Sequence, residues 1–237
     1  WLLFIYYDRI INKMDNYLKN QIITYMGNKR KLLSNIESKI KEIKKELGVE
    51  KLNIGDGFSG SGIVSRLFKL HGRKLYTNDI AGYSKTINEC YLSSPTLEER
   101  KQINKYIKIA NELCEKGTEI KEPWVSKHWS PSSDDIKENE RVYYTCQNGK
   151  NIDILREYIE TVPKKYKKYL LAPLLVSASI HNNTNGQFAA FYKDGNKGAY
   201  GGKKGIDLKR IHGEVRLFDP ILHINDCEIF VDQKDTN

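Results

Sequence analysis

Short-spaced cysteine pairs are missing from this chain. Its four cysteines, Cys90, Cys114, Cys146 and Cys227, stand far apart, and its five histidines do not gather around them. Zinc ribbons and fingers announce themselves by closely spaced ligand pairs, so no metal site is expected. Nor is there a disulfide framework, and reduced thiols in a cytoplasmic protein are the expectation. The apolar run at the start, Trp1–Tyr7, is far too short to span a bilayer. No basic segment precedes it, so it makes a poor signal peptide, and no membrane partner is expected. Methionine is scarce, with two residues, the first being Met14. That predicts that residues 1–13 lie upstream of the natural start or form an extra leader without function. Acidic residues are outnumbered, 30 against 39 Lys and Arg, for a net charge of +9. Such an excess favours a polyanionic partner, because Lys and Arg on phosphates release condensed counterions. A Lys-rich composition alone does not separate a nucleic-acid binder from a solvated surface.

What is present is an ordinary soluble balance, 39% hydrophobic and 29% charged, in 237 residues. Over 28–46, Leu32, Leu33, Ile36, Ile40 and Ile43 recur at three- and four-residue steps and predict an amphipathic helix stopped at Gly48. Residues 51–56 predict a short strand and 57–62 a Gly/Ser turn. Ile63, Val64, Leu67, Phe68 and Leu70 predict a helix ending at Gly72, and residues 74–78 a second strand. Strand, tight glycine turn, helix and strand make the opening unit of a doubly wound parallel sheet. Residues 84–116 read as helical, broken near Ser93-Ser94-Pro95. The polar stretch 117–150 reads as irregular structure or an insertion. Residues 151–181 return to helix, with Pro163 and Pro173 each starting or bending a segment. The Gly-, Asn- and Lys-rich stretch 182–215 reads as a long functional loop, and 228–231 as a strand.

The strongest chemical signal is Asp56-Gly57-Phe58-Ser59-Gly60-Ser61-Gly62, set between a strand and a helix. Glycines there allow a sharp turn and close approach to a ligand. The following helix offers free N–H groups at its start. Asp79 lies at the tip of the next strand, near the offset of about 20 residues at which an acid takes the hydroxyls of an adenosine ribose. A carboxylate suits that task because it only accepts. A nicotinamide-binding loop competes with this reading, but it wants a glycine at position 65, which is Ser65. A plain glycine turn is the other alternative. Upstream, Tyr25-Met26-Gly27-Asn28-Lys29-Arg30-Lys31 reads by itself as a helix start with a solvated basic face.

Taken together, Tyr25, Gly27 and Lys29, then Phe58-Ser59-Gly60-Ser61-Gly62, then Asn78-Asp79 resemble the opening motifs of the Dam-like (D12 class) adenine-specific DNA methyltransferases. Ala178–Gly186, Phe191–Asp194, Tyr200–Lys203 and the stretch from Arg216 through Pro220 to Asp235 resemble one subgroup of that family, so the likeness covers roughly 22–237. It implies a Rossmann-like, S-adenosylmethionine-dependent α/β fold with an inserted, mainly helical target-recognition region. The implied division is 1–21 leader, 22–92 cofactor-binding part, 93–216 recognition region and 217–237 return to the sheet. It further implies that Phe58, Ser59, Gly60 and Gly62 surround the cofactor's amino-acid part. Asp79 would hold its ribose, Ile80 border its adenine, and Tyr25, Gly27 and Lys29 close over its methionine end. Asp235 is similar to the acid that precedes the catalytic motif.

That motif, Asp-Pro-Pro-Tyr, supplies the acceptor for the exocyclic amine and the aromatic face for a flipped base. The sequence holds no such tetrad. Phe218-Asp219-Pro220-Ile221 lacks the second proline and the aromatic, and reads as a turn. The expectation is therefore a chain cut off before the motif, without a catalytic residue, with weak cofactor binding and no methylation by itself. A fragment that binds cofactor and DNA without turnover is the alternative to the enzyme. For double-stranded DNA, the resemblance points to 182–216: Asn182, Asn183 and Asn185 for adenine edges, and Lys193, Lys203, Lys204 and Arg210 for phosphates, with Gln187, Lys197, Lys209 and Arg216 nearby. Phe188, Phe191, Tyr192 and Tyr200 could wedge beside an extruded base. A solvated loop anchored by aromatics is the plainer reading of the same residues. The implied setting is Dam-like or restriction–modification, in which a cognate restriction endonuclease acts separately.

Overall fold

A computed structural model describes residues 16–19, 22–23, 27, 29–186 and 189–235. Helix α1 (Leu33–Leu47) follows a 3-10 turn at Lys29–Leu32 and precedes strand β1 (Leu52–Asp56). Then come α2 (Ile63–His71), β2 (Gly72–Asn78), α3 (Gly82–Tyr91), α4 (Leu97–Glu115) and the short α5 (Val125–His128). Helices α6 (Cys146–Thr161) and α7 (Lys164–Ile180) lead to a small hairpin, β3 (Lys193–Asp194) and β4 (Lys197–Gly198). A 3-10 turn at Gly202–Lys204, α8 (Leu208–Ile211) and β5 (Glu228–Asp232) complete the order. The chain divides into two compact units, 1–99 with 220–237, and 100–219.

The first unit is α/β. Its sheet has the order β1-β2-β5, and both pairings are parallel. Parallel neighbours need a crossover, and α2 supplies the one between β1 and β2. Leu75, Leu92 and Cys227 form a buried cluster, with Ile54, Phe68 and Ile229 packed against it. Ile54, Leu75 and Ile229 are register partners on the three neighbouring strands, which puts one face of the sheet inside. On the other face Tyr76 and Phe230 stack at 4.7 Å and remain about half exposed. The α1 stop at Gly48 is left-handed, with φ 64°, as a glycine terminator should be. The fully buried Lys69 ties the unit together, donating to the Ser93 carbonyl at 2.8 Å, to Ser94 Oγ at 3.1 Å and to the His223 carbonyl.

The second unit is helical with a long irregular tail. Helix α6 begins at Cys146, five residues before the expected start. The Thr145 side chain caps it by accepting from the Asn148 N–H. Within 117–150, which the sequence gives as irregular, α5 forms at 125–128. Asp153, fully buried, accepts from the N–H groups of Trp124, Val125 and Ser126 and so closes the start of that turn. Pro163 immediately precedes α7, but Pro173 lies inside an uninterrupted helix. Among the described residues no helix is long and apolar enough to cross a membrane. No group of His, Cys, Asp or Glu among them is placed to hold a metal.

Candidate functional site

The glycine loop sits at the carboxyl ends of β1 and β2, where open α/β sheets present ligands. Its shape follows from two left-handed glycines, Gly60 at φ 50° and Gly62 at φ 73°. A Cβ at position 62 would stand 2.5 Å from Asn88 Oδ1, so the residue is glycine for two independent reasons. Ser59 anchors the loop to β2: its N–H and Oγ both donate to the Asn78 carbonyl, at 3.0 and 3.1 Å. Ser84 Oγ donates to the Gly60 carbonyl at 2.6 Å, and Asn88 Nδ2 to Ser59 Oγ at 3.0 Å. Helix α3 therefore holds the loop from below.

Asp79 closes the arrangement. Its Oδ2 accepts the Gly60 N–H at 2.7 Å and its Oδ1 the Ala81 N–H at 2.9 Å. Each oxygen has a further lone pair, so the carboxylate is aimed and still able to receive two hydroxyl donors. Phe58 and Ile80, expected beside the cofactor, are 81% and 67% exposed and flank the loop. Ser65, the residue that breaks the nicotinamide pattern, donates to Asp56 Oδ2 at 2.6 Å. Burial raises the Asp56 carboxyl above its usual range, against the pull of that bond. Asp56 opens the strongest motif in the sequence but has no role of its own there; its pairing with a serine nine positions on is visible only once the loop is folded.

The segment after β5 comes to the same strand ends. Lys234 N–H donates to Asn78 Oδ1 at 2.9 Å, Asn78 Nδ2 to the Lys234 carbonyl at 3.0 Å, and Gln233 Nε2 to the Ile80 carbonyl at 3.1 Å. Asp235, adjacent and exposed, is thereby brought toward the exits of β2. Lys29 Nζ reaches the Gly27 carbonyl at 3.1 Å, and its 3-10 turn lies against α2. Tyr25 lies outside the described residues, as do Gln187 and Phe188.

In the second unit, the residues expected to meet DNA separate into two groups. Asn183 is fully buried; its Nδ2 donates to the Val142 and Ala199 carbonyls at 2.8 and 3.0 Å, and its Oδ1 accepts the Gly201 N–H at 2.9 Å. Asn182 is buried as well, bonding the Ser179 carbonyl and the Thr184 hydroxyl. The Arg210 guanidinium donates to the carbonyls of Ile180, Asn182 and Thr184. Arg216 pairs with Glu115 and Glu214. Asn182, Asn183 and Arg210 turn their donors inward, because a long loop has many backbone carbonyls that need donors, while Arg216 is held in surface ion pairs. By contrast Lys193, Lys197, Lys203, Lys204 and Lys209 are exposed and have no carboxylate partner among the described residues. Asn185 is exposed too. Phe191 lies against Tyr143 and under Lys193, and Tyr200 against His212.

A family model for D12 class N6 adenine-specific DNA methyltransferases matches residues 25–200. The chain is 29% identical over 205 residues to the type II methyltransferase M.NlaIII of Neisseria lactamica, covering 83% of this chain and 55% of that protein. It is 29% identical over 175 residues to the modification methylase LlaI of Lactococcus lactis subsp. lactis, covering 71% and 27%. With the type II methyltransferase M.CviAII of Paramecium bursaria Chlorella virus 1 it shares 30% over 175 residues, covering 72% and 49%. The chain thus spans about half the length of these relatives or less. No solved structure matches it.

Proposed function

Because the chain belongs to the D12 class N6 adenine-specific DNA methyltransferase family, we propose that its first unit binds S-adenosylmethionine for methyl transfer to adenine N6 in duplex DNA. The observation that carries this is the aimed carboxylate: Asp79, fixed by the Gly60 and Ala81 N–H groups, beside a glycine loop flanked by exposed Phe58 and Ile80. When bound, the cofactor supplies an activated methyl group on its sulfonium. The protein's part is orientation. Asp79 takes the ribose hydroxyls, Ile80 borders the adenine, Phe58, Ser59, Gly60 and Gly62 surround the amino-acid part, and Tyr25, Gly27 and Lys29 close over the methionine end. Asp235, held near Asn78 by its neighbours, completes the rim.

On this reading the three parallel strands are one side of a doubly wound, Rossmann-like sheet made by 22–92 and 217–237, and 93–216 is an inserted recognition region. The division into two compact units supports that plan. A flipped adenine is the natural substrate form, since N6 is out of reach inside a stacked duplex. Lys193, Lys203 and Lys204 contact phosphates and Asn185 faces the bases, while Asn182, Asn183 and Arg210 hold the loop that presents them. The catalytic role is assigned to no residue of this chain. The relatives' names, type II methyltransferase and modification methylase, support a restriction–modification setting; a cytoplasmic location and a separately acting restriction endonuclease, or a Dam-like role, belong to the same reading.

Calorimetric titration tests the cofactor half. S-adenosylmethionine should give saturable heat that Asp79→Ala abolishes, and NADH should give none. Binding of NADH in place of S-adenosylmethionine would overturn the reading.

A further inference from the structure

The stretch 124–141 has no part in the assignments above, yet it holds a cluster of donors without employment. A cleft of about 460 Å³ opens between α5 and the loop that follows, and Lys127, Asn139 and Arg141 line it. All three are exposed, and none has a hydrogen-bonding or carboxylate partner among the described residues. One carboxylate, Glu140, lines the same cleft, and neutral donors hold it in its charged form. Its Oε1 accepts from the Ser132 N–H and Oγ at 2.9 and 2.6 Å, and its Oε2 from the Lys137 N–H at 2.7 Å. Those bonds, the Lys137 N–H first, pull its carboxyl down to about 2. The other acids of the loop, Asp134, Asp135 and Glu138, do not line the cleft. Against that one carboxylate the cleft sets two cations and an amide, a net positive lining that suits a singly charged oxyanion with several acceptor oxygens.

The cleft is also joined to the lysine loop. The Arg141 guanidinium lies 5.6 Å from the Trp129 ring, Trp129 meets Tyr143 at 4.9 Å, Tyr143 meets Phe191 at 5.0 Å, and Lys193 lies 5.4 Å from Phe191. The two cations thus sit at the ends of one run of packed aromatic rings.

We propose that the cleft of Lys127, Asn139 and Arg141 binds a backbone phosphodiester of duplex DNA, as a second contact beyond the lysine loop. The proposal rests on the reading of this unit as the DNA-contacting one. Binding of a fluorescent 24-base-pair duplex to the full chain, followed by anisotropy from 50 to 200 mM salt, tests it. Removing that phosphate contact with Lys127→Ala/Arg141→Gln should lower the salt slope by about 1, so the loss of affinity over that range becomes about fourfold smaller. The charge-preserving Lys127→Arg/Arg141→Lys should keep the wild-type slope, which a merely structural defect would not. Lys203→Ala/Lys204→Ala is the parallel test of the lysine loop. If only the loop variant lowers the slope, the cleft proposal falls and the broader reading stands. If only the cleft variant lowers it, the cleft stands and the loop assignment falls. A chain that binds no duplex sinks both. Inorganic phosphate that shifts the Arg141 and Ser132 amide resonances, with a duplex that does not, would make the site one for a small mobile anion and overturn the proposal.

Discussion

Replacing Asn183 by alanine separates a scaffold from a contact. The side chain is fully buried and makes three hydrogen bonds, two to carbonyls and one from the Gly201 N–H. The backbone bonds of the same residue, its N–H to the Tyr143 carbonyl and its carbonyl from the Tyr192 N–H, survive the substitution. The loss is therefore confined to three polar groups left without a partner. At about 1 kcal/mol for each bond the cost is about 3 kcal/mol. In a unit of this size that lowers Tm by roughly 12 °C. Trp124 and Trp129 lie in the same unit, so tryptophan fluorescence during heating reports on it. Asn185→Ala, at an exposed position, should stay within about 0.5 kcal/mol of wild type. If Asn183→Ala melts with the wild type and yet weakens duplex binding, the residue touches DNA and the burial argument is wrong.

Gly62→Ala meets both a left-handed backbone, worth about 1–2 kcal/mol, and the Asn88 oxygen 2.5 Å from the new Cβ. It should destabilise the first unit and cut cofactor affinity, and adding Asn88→Ala should relieve the clash but not the backbone term, a split that paired melts would show. Asp79→Asn keeps one acceptor and should weaken S-adenosylmethionine binding at least about tenfold by calorimetry; unchanged affinity would remove Asp79 from the site. Lys69 is pushed down to about 8 by burial. Below that pH both folded and unfolded chains hold its proton and the folded state bears the full penalty. Between about 8 and the ordinary value of 10.5 the unfolded chain binds more protons, so stability should rise with pH, by on the order of 3 kcal/mol in total. Urea midpoints of wild type against Lys69→Met over pH 7–10 should show that slope in the wild type alone.

The first unit was largely legible because its information is local. Gly48, Gly60, Gly62 and Gly72 punctuate the chain where the backbone turns, and the spacing of Leu67, Phe68 and Leu75 announces the inner face. The offset from the loop to Asp79 is fixed by one helix and one strand, and the Gly60 N–H to Asp79 bond closes that short circuit. What could not be read was the Asp56–Ser65 pair, where a residue noticed only as a departure from another motif turns out to anchor the end of β1.

The second unit resisted for the opposite reason: its polar residues are assigned by partners far along the chain. Asn183 is tied to Val142, 41 positions away, and Asn148 to Gly213, 65 positions away. Composition shows that donors are present but not which carbonyls will claim them, and so Asn182, Asn183 and Arg210 resemble a recognition surface in sequence while their nitrogens turn inward. Gly149 shows the same limit from the steric side. Read as part of an irregular polar stretch, it sits in the first turn of α6, where a Cβ would stand 2.0 Å from Ser130 Oγ. A glycine there permits α5 and α6 to touch, and that contact builds the wall of the cleft holding Lys127 and Arg141. Gly149→Ala should then disturb the cleft before it disturbs the lysine loop. In the salt titration it should flatten the slope as the cleft variant does, and Ser130→Gly added to it should restore part of the slope, since it removes the Ser130 Oγ and Cβ contacts and leaves Ser126 Cα at 3.0 Å. A wild-type slope for Gly149→Ala would show that the cleft does not depend on that close packing.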